Sequence, residues 1–461
     1  MFLMPIRPPL SLTLAMVSLL IIHSGSAEKE VNTALKPGGK WVKREVTLVK
    51  DCLRAPTEDS NLDEFGGHPS KRTQTTGFFH TQKLDNRWWI VNPVGGLFIS
   101  RGVNSVSRIA SEGGKSALNE KFKSQERWTT ETHEMLAKHG FNTLGAWSTI
   151  DQSNQTQART PLLSFMSRYG KIRGGTYQKP GHTGYPKDCP FIFDPAFESF
   201  CNDYAERVAP DRNDPSVLGY FSDNELPWSH EMLENYLSLP NTDPGHQAAK
   251  TWLEARKTKA SSPTIITDAD RADFLAFALD RYLSITRSAL RRHAPNHLFL
   301  GPRLHGPAIR HPEVFRTLGK HVDVVCVNYY HAWSPSANRL EMWNHESGKP
   351  VMITEFYAKA GDVGLTNNGG AGWLVETQND RGLFYQNFTI GLIASRVCVG
   401  WHWHRYADND PDDTKVDPSN RDSNKGIVSN RYQPFDDLLR SMNILNRNTY
   451  ALAAHFDSKK P

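Results

Sequence analysis

The sequence predicts a (β/α)8 TIM barrel with an N-terminal β-hairpin extension, and three observations lead there. Eight short apolar segments recur along the chain, each separated from the next by a connection long enough for a parallel crossover. Amphipathic helical stretches fill most of those connections. No Gly-rich phosphate-binding turn follows any segment, which argues against an open doubly wound sheet and for the closed arrangement of eight βα units.

In chain order, "MFLMPIRPPLSLTLAMVSLLIIHSGSA" carries one charge at Arg7, an apolar run from Leu10 to Ile22 and small residues at Gly25 and Ala27. That is the pattern of a secretory signal, residues 1–27; its apolar run is shorter than a membrane span. Residues 28–76 are polar with little periodicity and read as a leader packed on the domain formed by 77–461. A hairpin opens that domain: "GFFHTQKL", a turn at Asp85-Asn86, "RWWIV", a turn at Asn92-Pro93, then "LFISRGVN", which is also the first barrel strand. The helix "ERWTTETHEMLAKHG" leads to strand two, "FNTLGAW"; strand three is "PLLSFM". The helix "PAFESFCNDYAERVA" leads to strand four, "VLGYFSDNE". The long helix "DADRADFLAFALDRYLSITRSALRRHAP" precedes strand five, "HLFLGPRLHG", and "PEVFRTLGK" precedes strand six, "VDVVCVNYY". Finally "NRLEMWNHES" leads to strand seven, "PVMITEFYAKA", and "DRGLFYQNFTIGLIAS" leads to strand eight, "VCVGWHWHRYAD".

Charged residues at 22% and hydrophobic residues at 38% describe an ordinary globular chain. A net charge of +5 without a basic stripe gives no footprint for nucleic acid. No membrane partner is expected either, because no other apolar stretch approaches a span. The five cysteines have no C-x-x-C spacing, which speaks against a zinc site and a dense disulfide framework. Cys189 and Cys201 remain open as a pair; Cys326 and Cys398 lie in apolar runs and read as buried hydrophobes.

In a barrel of this kind the chemistry sits where strands end. Those ends carry Arg101 and Asn104 on strand one, Asn142 and Trp147 on two, Asn224 and Glu225 on four, Arg303 and His305 on five. Strand six ends in Asn328, Tyr329 and Tyr330, strand seven in Glu355, strand eight in Trp401, His402 and Trp403. Glu225 and Glu355 each close an apolar strand without an adjacent basic partner, and strands four and seven face each other across such a mouth. A lone Glu at a strand end reads as a surface residue. Two that face each other suit glycoside hydrolysis, where one carboxyl protonates the leaving oxygen and the other attacks or activates water. Asp223 is left outside the pair because strand alternation does not settle its direction. Trp147, Trp228, Trp401 and Trp403 are open between sugar stacking and core packing. His402 and His404, two apart, share a face and with His305 and His331 offer imidazoles for zinc, but hydrogen bonds to sugar hydroxyls are the expected role. Asp408, Asp410 and Asp412 match the first spacings of a calcium loop but lack its Gly and closing Glu, so a solvated acidic loop is expected. No metal and no cofactor are expected.

Asn-Glu at the end of strand four with a second Glu at the end of strand seven resembles the clan A retaining glycosidases, over roughly Phe78 to Tyr432. Within that clan, "RWWIVNPVGGLFISRGVN", "GYFSDNELPW" and "SNKGIV" look most like agarase-type (exo-β-agarase-like) enzymes, which cut β-linked galactose in red-algal galactans. The resemblance implies that Glu225 is the acid/base, Glu355 the nucleophile and Asn224 the partner of the sugar 2-hydroxyl. It implies further that Tyr329 or Tyr330 holds the nucleophile and that Trp401 floors a sugar subsite. Arg101, Asn104, Asn142, Trp147, Trp228, His305, Asn328 and His402 complete the expected substrate-binding set. The expected protein is a secreted or periplasmic retaining glycoside hydrolase acting on a polysaccharide or oligosaccharide. Its alternatives are a clan A hydrolase of another β-glycan (β-galactoside, β-mannan or β-glucan) and a catalytically inactive carbohydrate-binding barrel.

Overall fold

The computed structural model describes residues 30–55, 59, 61–151, 157–173, 186–257 and 265–459. The expected signal segment, 1–27, lies outside the described residues. Eight strands form the frame: β1 (Ser100–Val103), β2 (Thr143–Leu144), β3 (Ala158–Arg159), β4 (Gly219–Asn224), β5 (Leu298–Arg303), β6 (Val325–Asn328), β7 (Val351–Phe356) and β8 (Cys398–Trp403). All ladders among them are parallel, and β1 pairs with both β2 and β8. Parallel bridges Arg159↔Val217 and Leu162↔Phe221 join the third segment to the fourth, and Leu304↔Val327 joins the fifth to the sixth. The architecture is α/β, with helices such as Gln125–Lys138, Asp268–His293 and Gln378–Ala394 in the crossovers.

Local chemistry accounts for these helices. Thr267 and Thr377 each accept from the amide three residues on while Asp270 and Asp380 reach back, closing capping boxes at the starts of 268–293 and 378–394. Arg291, Arg292 and His293 place positive charge in the last turn of the first, where the helix dipole favours it.

Strand three departs from expectation. The apolar run "PLLSFM" holds only the bridge at Leu162; the strand is Ala158–Arg159, and Phe165–Ile172 is helical. A short apolar run does not distinguish a strand from the buried turn of a helix. Tertiary contacts decide here, because the Asp223 carboxylate accepts from the Met166 amide at 3.0 and 3.1 Å in the first turn of that helix. Asp223 thus faces away from the strand ends, and it also accepts from the Tyr282 hydroxyl at 2.7 Å. Burial pushes its carboxyl up to about 7, against the opposing pull of Tyr282 and of the Met166 and Ser167 amides.

The hairpin before β1 forms as expected. His80–Leu84 and Arg87–Val91 pair antiparallel across Asp85-Asn86, whose φ values of 46° and 67° suit the left-handed two-residue turn. With Gly96–Phe98 and His68–Arg72 they make a four-stranded sheet. Residues 30–76 carry more regular structure than their composition suggests: Glu30–Ala34 pairs with Val42–Glu45 and with Trp373–Val375 in the segment after β7.

Alternation along the parallel strands builds two cores. Val325, Val327, Tyr329, Val351, Ile353, Trp401 and Trp403 pack with the helices in the larger one. Leu218, Phe221, Leu300, Val324, Cys326, Met352 and Val399 belong to the smaller one, to which no helix contributes among the described residues. Cys189, Cys201, Cys326 and Cys398 are buried, and no disulfide joins Cys189 to Cys201. Among the described residues no helix is long and apolar enough to cross a membrane.

Asp223→Ala leaves the Met166 amide and the Tyr282 hydroxyl buried without their acceptor, and we expect it to lower unfolding free energy in denaturant titrations by about 1–3 kcal/mol. An unchanged midpoint would mean that Asp223 does not hold the 165–172 helix to β4.

Candidate active site

Glu225 follows β4 directly, with its amide donating to the Arg303 carbonyl on β5 at 2.9 Å. Its φ of 51° is left-handed, a conformation that costs a non-glycine residue about 1 kcal/mol or more. Ser105 (55°) and Trp147 (60°) share it just past β1 and β2. All three line one cavity of about 680 Å³ at the carboxyl ends of the strands, together with Glu355. Ladder register also shifts before Asn224 on β4, before Asn328 on β6 and between Ile353 and Phe356 on β7. Such irregularities re-aim side chains, and here they fall beside the polar residues that meet.

One cation organises the cavity floor. Arg303, fully buried, lies 2.7 Å from the Glu355 carboxylate and donates to Asn224 Oδ1 at 2.8 Å and to the Thr354 carbonyl at 2.6 Å. Its guanidinium sits 4.5 Å from the centre of the Trp147 ring. Asn328 is the second hub: its amide donates to Glu225 Oε1 at 2.8 Å and to Asn224 Oδ1 at 3.1 Å, while its Oδ1 accepts from Thr354 at 2.8 Å. The Tyr330 hydroxyl donates to Glu355.

The two glutamates therefore differ in environment. Glu225 is raised above the usual carboxyl range, first by burial and then by the Glu355 charge, with His305, Asn328 and Arg303 pulling the other way. Burial also pushes Glu355 up, but His404, Arg303, the Tyr330 hydroxyl and Lys425 together outweigh it and leave the group lowered. Burial holds His404 itself down to about 3, so at neutral pH its ring is uncharged, and the guanidinium in contact with Glu355 is that of Arg303. One carboxyl favours its proton and the other its charge.

Of the residues singled out from sequence, Trp147, Asn224, Glu225, His305, Tyr330, Glu355 and His404 line the cavity, and Asn328 supports them. Several others turn elsewhere. Trp401 faces the helices and donates to the Tyr385 hydroxyl at 2.8 Å, so it cannot floor a subsite. Tyr329 points the same way, its hydroxyl accepting from the Ser336 amide at 3.2 Å; only Tyr330 reaches the glutamate. Trp228 is buried on Tyr282, with ring centres 5.4 Å apart. Arg101 donates to the Asn446 carbonyl and lies over Tyr450, and Asn142 is spent on the backbones of Ile99 and Arg101. His402 is buried against Ser100 Oγ at 2.9 Å, and Asn104 donates to the Thr354 carbonyl at 2.8 Å. These residues hold strands and helices together instead of lining the cavity.

Sequence reasoning missed Tyr357, Arg405, Asn420 and Lys425, which also line the wall. Lys425 donates to Asn420 Oδ1 at 2.7 Å and sits over Tyr357, with burial pulling its ammonium down to about 7. Its segment is anchored by Asp408, whose carboxylate accepts from the Lys425 and Gly426 amides at 2.8 and 2.7 Å and from Asn424 at 2.9 Å. The acidic run is thus not a wholly solvated loop: its first residue is buried and holds the "SNKG" turn.

No family model matches the chain. Beta-agarase B of Vibrio sp. (strain JT0107) is 23% identical over 88% of this chain and 52% of its own length. The chain spans about half the length of the curated relatives it matches. Among solved structures, BpGH50 superposes with a TM-score of 0.81 at 27% identity, covering 93% of this chain and 96% of its own. The structure of an exo-beta-agarase shares the fold, with a TM-score of 0.71 at 20% identity over 87% of this chain and 69% of its own.

Removing the Arg303 charge strands a buried carboxylate, and we expect Arg303→Met to cost about 3–5 kcal/mol in stability. A double-mutant cycle with Glu355→Gln should recover a large part of that loss; strictly additive costs would contradict the pairing. In sequence and in fold, the chain resembles the agarase-type glycoside hydrolases.

Proposed function

We propose that the protein is an exported glycoside hydrolase that cleaves β-galactosidic bonds in an agarose-type galactan or its oligosaccharides. The observation that carries the proposal is the unequal carboxyl pair on one cavity, Glu225 raised and Glu355 lowered beside Arg303. The names of the matched beta-agarases support the substrate class. Strands with parallel neighbours on both sides support a (β/α)8 barrel as the frame, formed by residues 77–461 with 28–76 packed on it. Export rests on the signal pattern in residues 1–27.

The reaction is a double displacement. Glu355 attacks the anomeric carbon while Glu225 gives its proton to the departing glycosidic oxygen, leaving a glycosyl ester on Glu355. Glu225, now a carboxylate, takes a proton from water as that water attacks the same carbon; the ester bond breaks, and both groups return to their starting states. The configuration at the anomeric carbon is retained. Arg303 keeps the Glu355 oxygens ionised, and Tyr330 fixes one of them. Asn224, oriented by Arg303 and Asn328, meets the sugar 2-hydroxyl, and Trp147, 39% exposed, offers its ring to an apolar sugar face.

Reducing-end release from agarose and its oligosaccharides tests this directly. We expect Glu355→Ala and Glu225→Gln to lower turnover about a thousandfold or more while remaining folded. NMR of the first product should show the β anomer. Folded variants with undiminished turnover would sink the residue roles, an α anomer would sink the double displacement, and turnover confined to another β-glycan would replace the substrate.

A further inference from the structure

Away from the cavity, two loops bring together three donor groups that the carboxyl network does not use. His230 lies five residues past Glu225 in the segment after β4. His311 caps the helix Pro312–Gly319 after β5, and Glu313 stands in that helix's first turn. His230 Nε2 is 2.5 Å from Glu313 Oε1, His311 Nδ1 is 3.7 Å from the same oxygen, and the two imidazole centres are 4.0 Å apart. One donor atom from each residue lies within 4.8 Å of the others, and all three side chains are partly buried. Among the described residues, this is where three potential metal-binding side chains converge.

We propose that His230, His311 and Glu313 bind a divalent transition-metal ion of the zinc type, tying the segment after β4 to the helix after β5. The donor set is the argument. Two imidazole nitrogens and one carboxylate suit zinc and its neighbours, whereas calcium and magnesium want oxygen donors. With metal–ligand bonds of about 2.0–2.1 Å, a tetrahedral site places its ligand atoms roughly 3.4 Å apart. The His311–Glu313 spacing of 3.7 Å is already close to that edge. The His230–Glu313 contact of 2.5 Å is a direct hydrogen bond that must open by about 1 Å to admit the ion. Water would take the fourth position. The pairing also explains why a second imidazole lies against the first, where a simple His–Glu hydrogen bond would need only one. His230 and His311 belong to strand-end segments on the same side of the frame as the cavity, so the ion would brace the element that carries Glu225.

The test is calorimetric titration of the full chain, stripped with EDTA and dialysed, with zinc chloride, in wild type and in His230→Ala, His311→Ala and Glu313→Gln. We expect one ion per chain in the wild type and affinity at least about tenfold weaker in each variant, with zinc raising the melting temperature of the wild type only. Circular dichroism identifies any variant that has not folded. Cobalt(II) added to the wild type gives a second readout, with visible bands of nitrogen and oxygen ligation and no thiolate charge transfer. No saturable binding, equal binding in wild type and folded variants, or a thiolate band would each overturn the site.

Discussion

The contact between Arg303 and Glu355 is the constraint on which the site depends. A guanidinium with no exposed surface is costly unless it is paired, and the floor of the cavity pairs its two terminal nitrogens: Nη1 with Glu355 and Asn224, Nη2 with the Thr354 carbonyl, with the Trp147 ring above. Because these partners come from β4 and β7 while Arg303 ends β5, the cluster also fixes how those three strands meet. Its electrostatic consequence is asymmetry. The cation beside Glu355 keeps that carboxyl charged, and the resulting anion helps burial to keep the proton on Glu225. The difference between two chemically identical side chains is thus set by their surroundings: His404, Arg303, the Tyr330 hydroxyl and Lys425 around Glu355, and burial beside the Glu355 charge at Glu225.

Backbone irregularity delivers the groups to that arginine. Regular strands would send alternate residues to helices or to the inner core, and Asn224, Glu225, Asn328 and Glu355 would not converge. The register shifts on β4, β6 and β7 and the left-handed φ at Glu225 break the alternation at those positions. The strain is supported by hydrogen bonds on both sides, such as the Glu225 amide to the Arg303 carbonyl.

These features explain what the sequence could disclose. Glu225 and Glu355 were legible because a carboxylate ending an apolar strand is conspicuous whichever way it points, and an Asn before one of them adds to the signal. The parallel α/β pattern was legible because each strand is short, apolar and separated by an amphipathic helix. Trp401, Tyr329 and Trp228 were misplaced because a one-residue change in phase moves a side chain from one face to the other, and phase near a bulge has no local signature. Tyr330 beside Tyr329 shows how narrow that margin is. Strand three was blurred because Phe165 and Met166 serve a helix whose first turn is held by Asp223, a contact 57 residues away in sequence. Lys425 and Arg405 belong to an irregular segment anchored by the buried Asp408, where no periodicity marks the site.

The most direct measurement of this account is a carbon NMR titration of glutamate carboxyls in the resting protein, with the two signals assigned by their loss in Glu225→Gln and Glu355→Gln. The account predicts that Glu355 titrates below the ordinary glutamate value of about 4.3 and Glu225 above it, so that protonated Glu225 and ionised Glu355 coexist in the window between. Below that window the Glu355 charge is lost, and above it the Glu225 proton is lost. A reversed order, or two carboxyls titrating together near the ordinary value, would contradict the claim that the cavity holds the proton on Glu225 and the charge on Glu355.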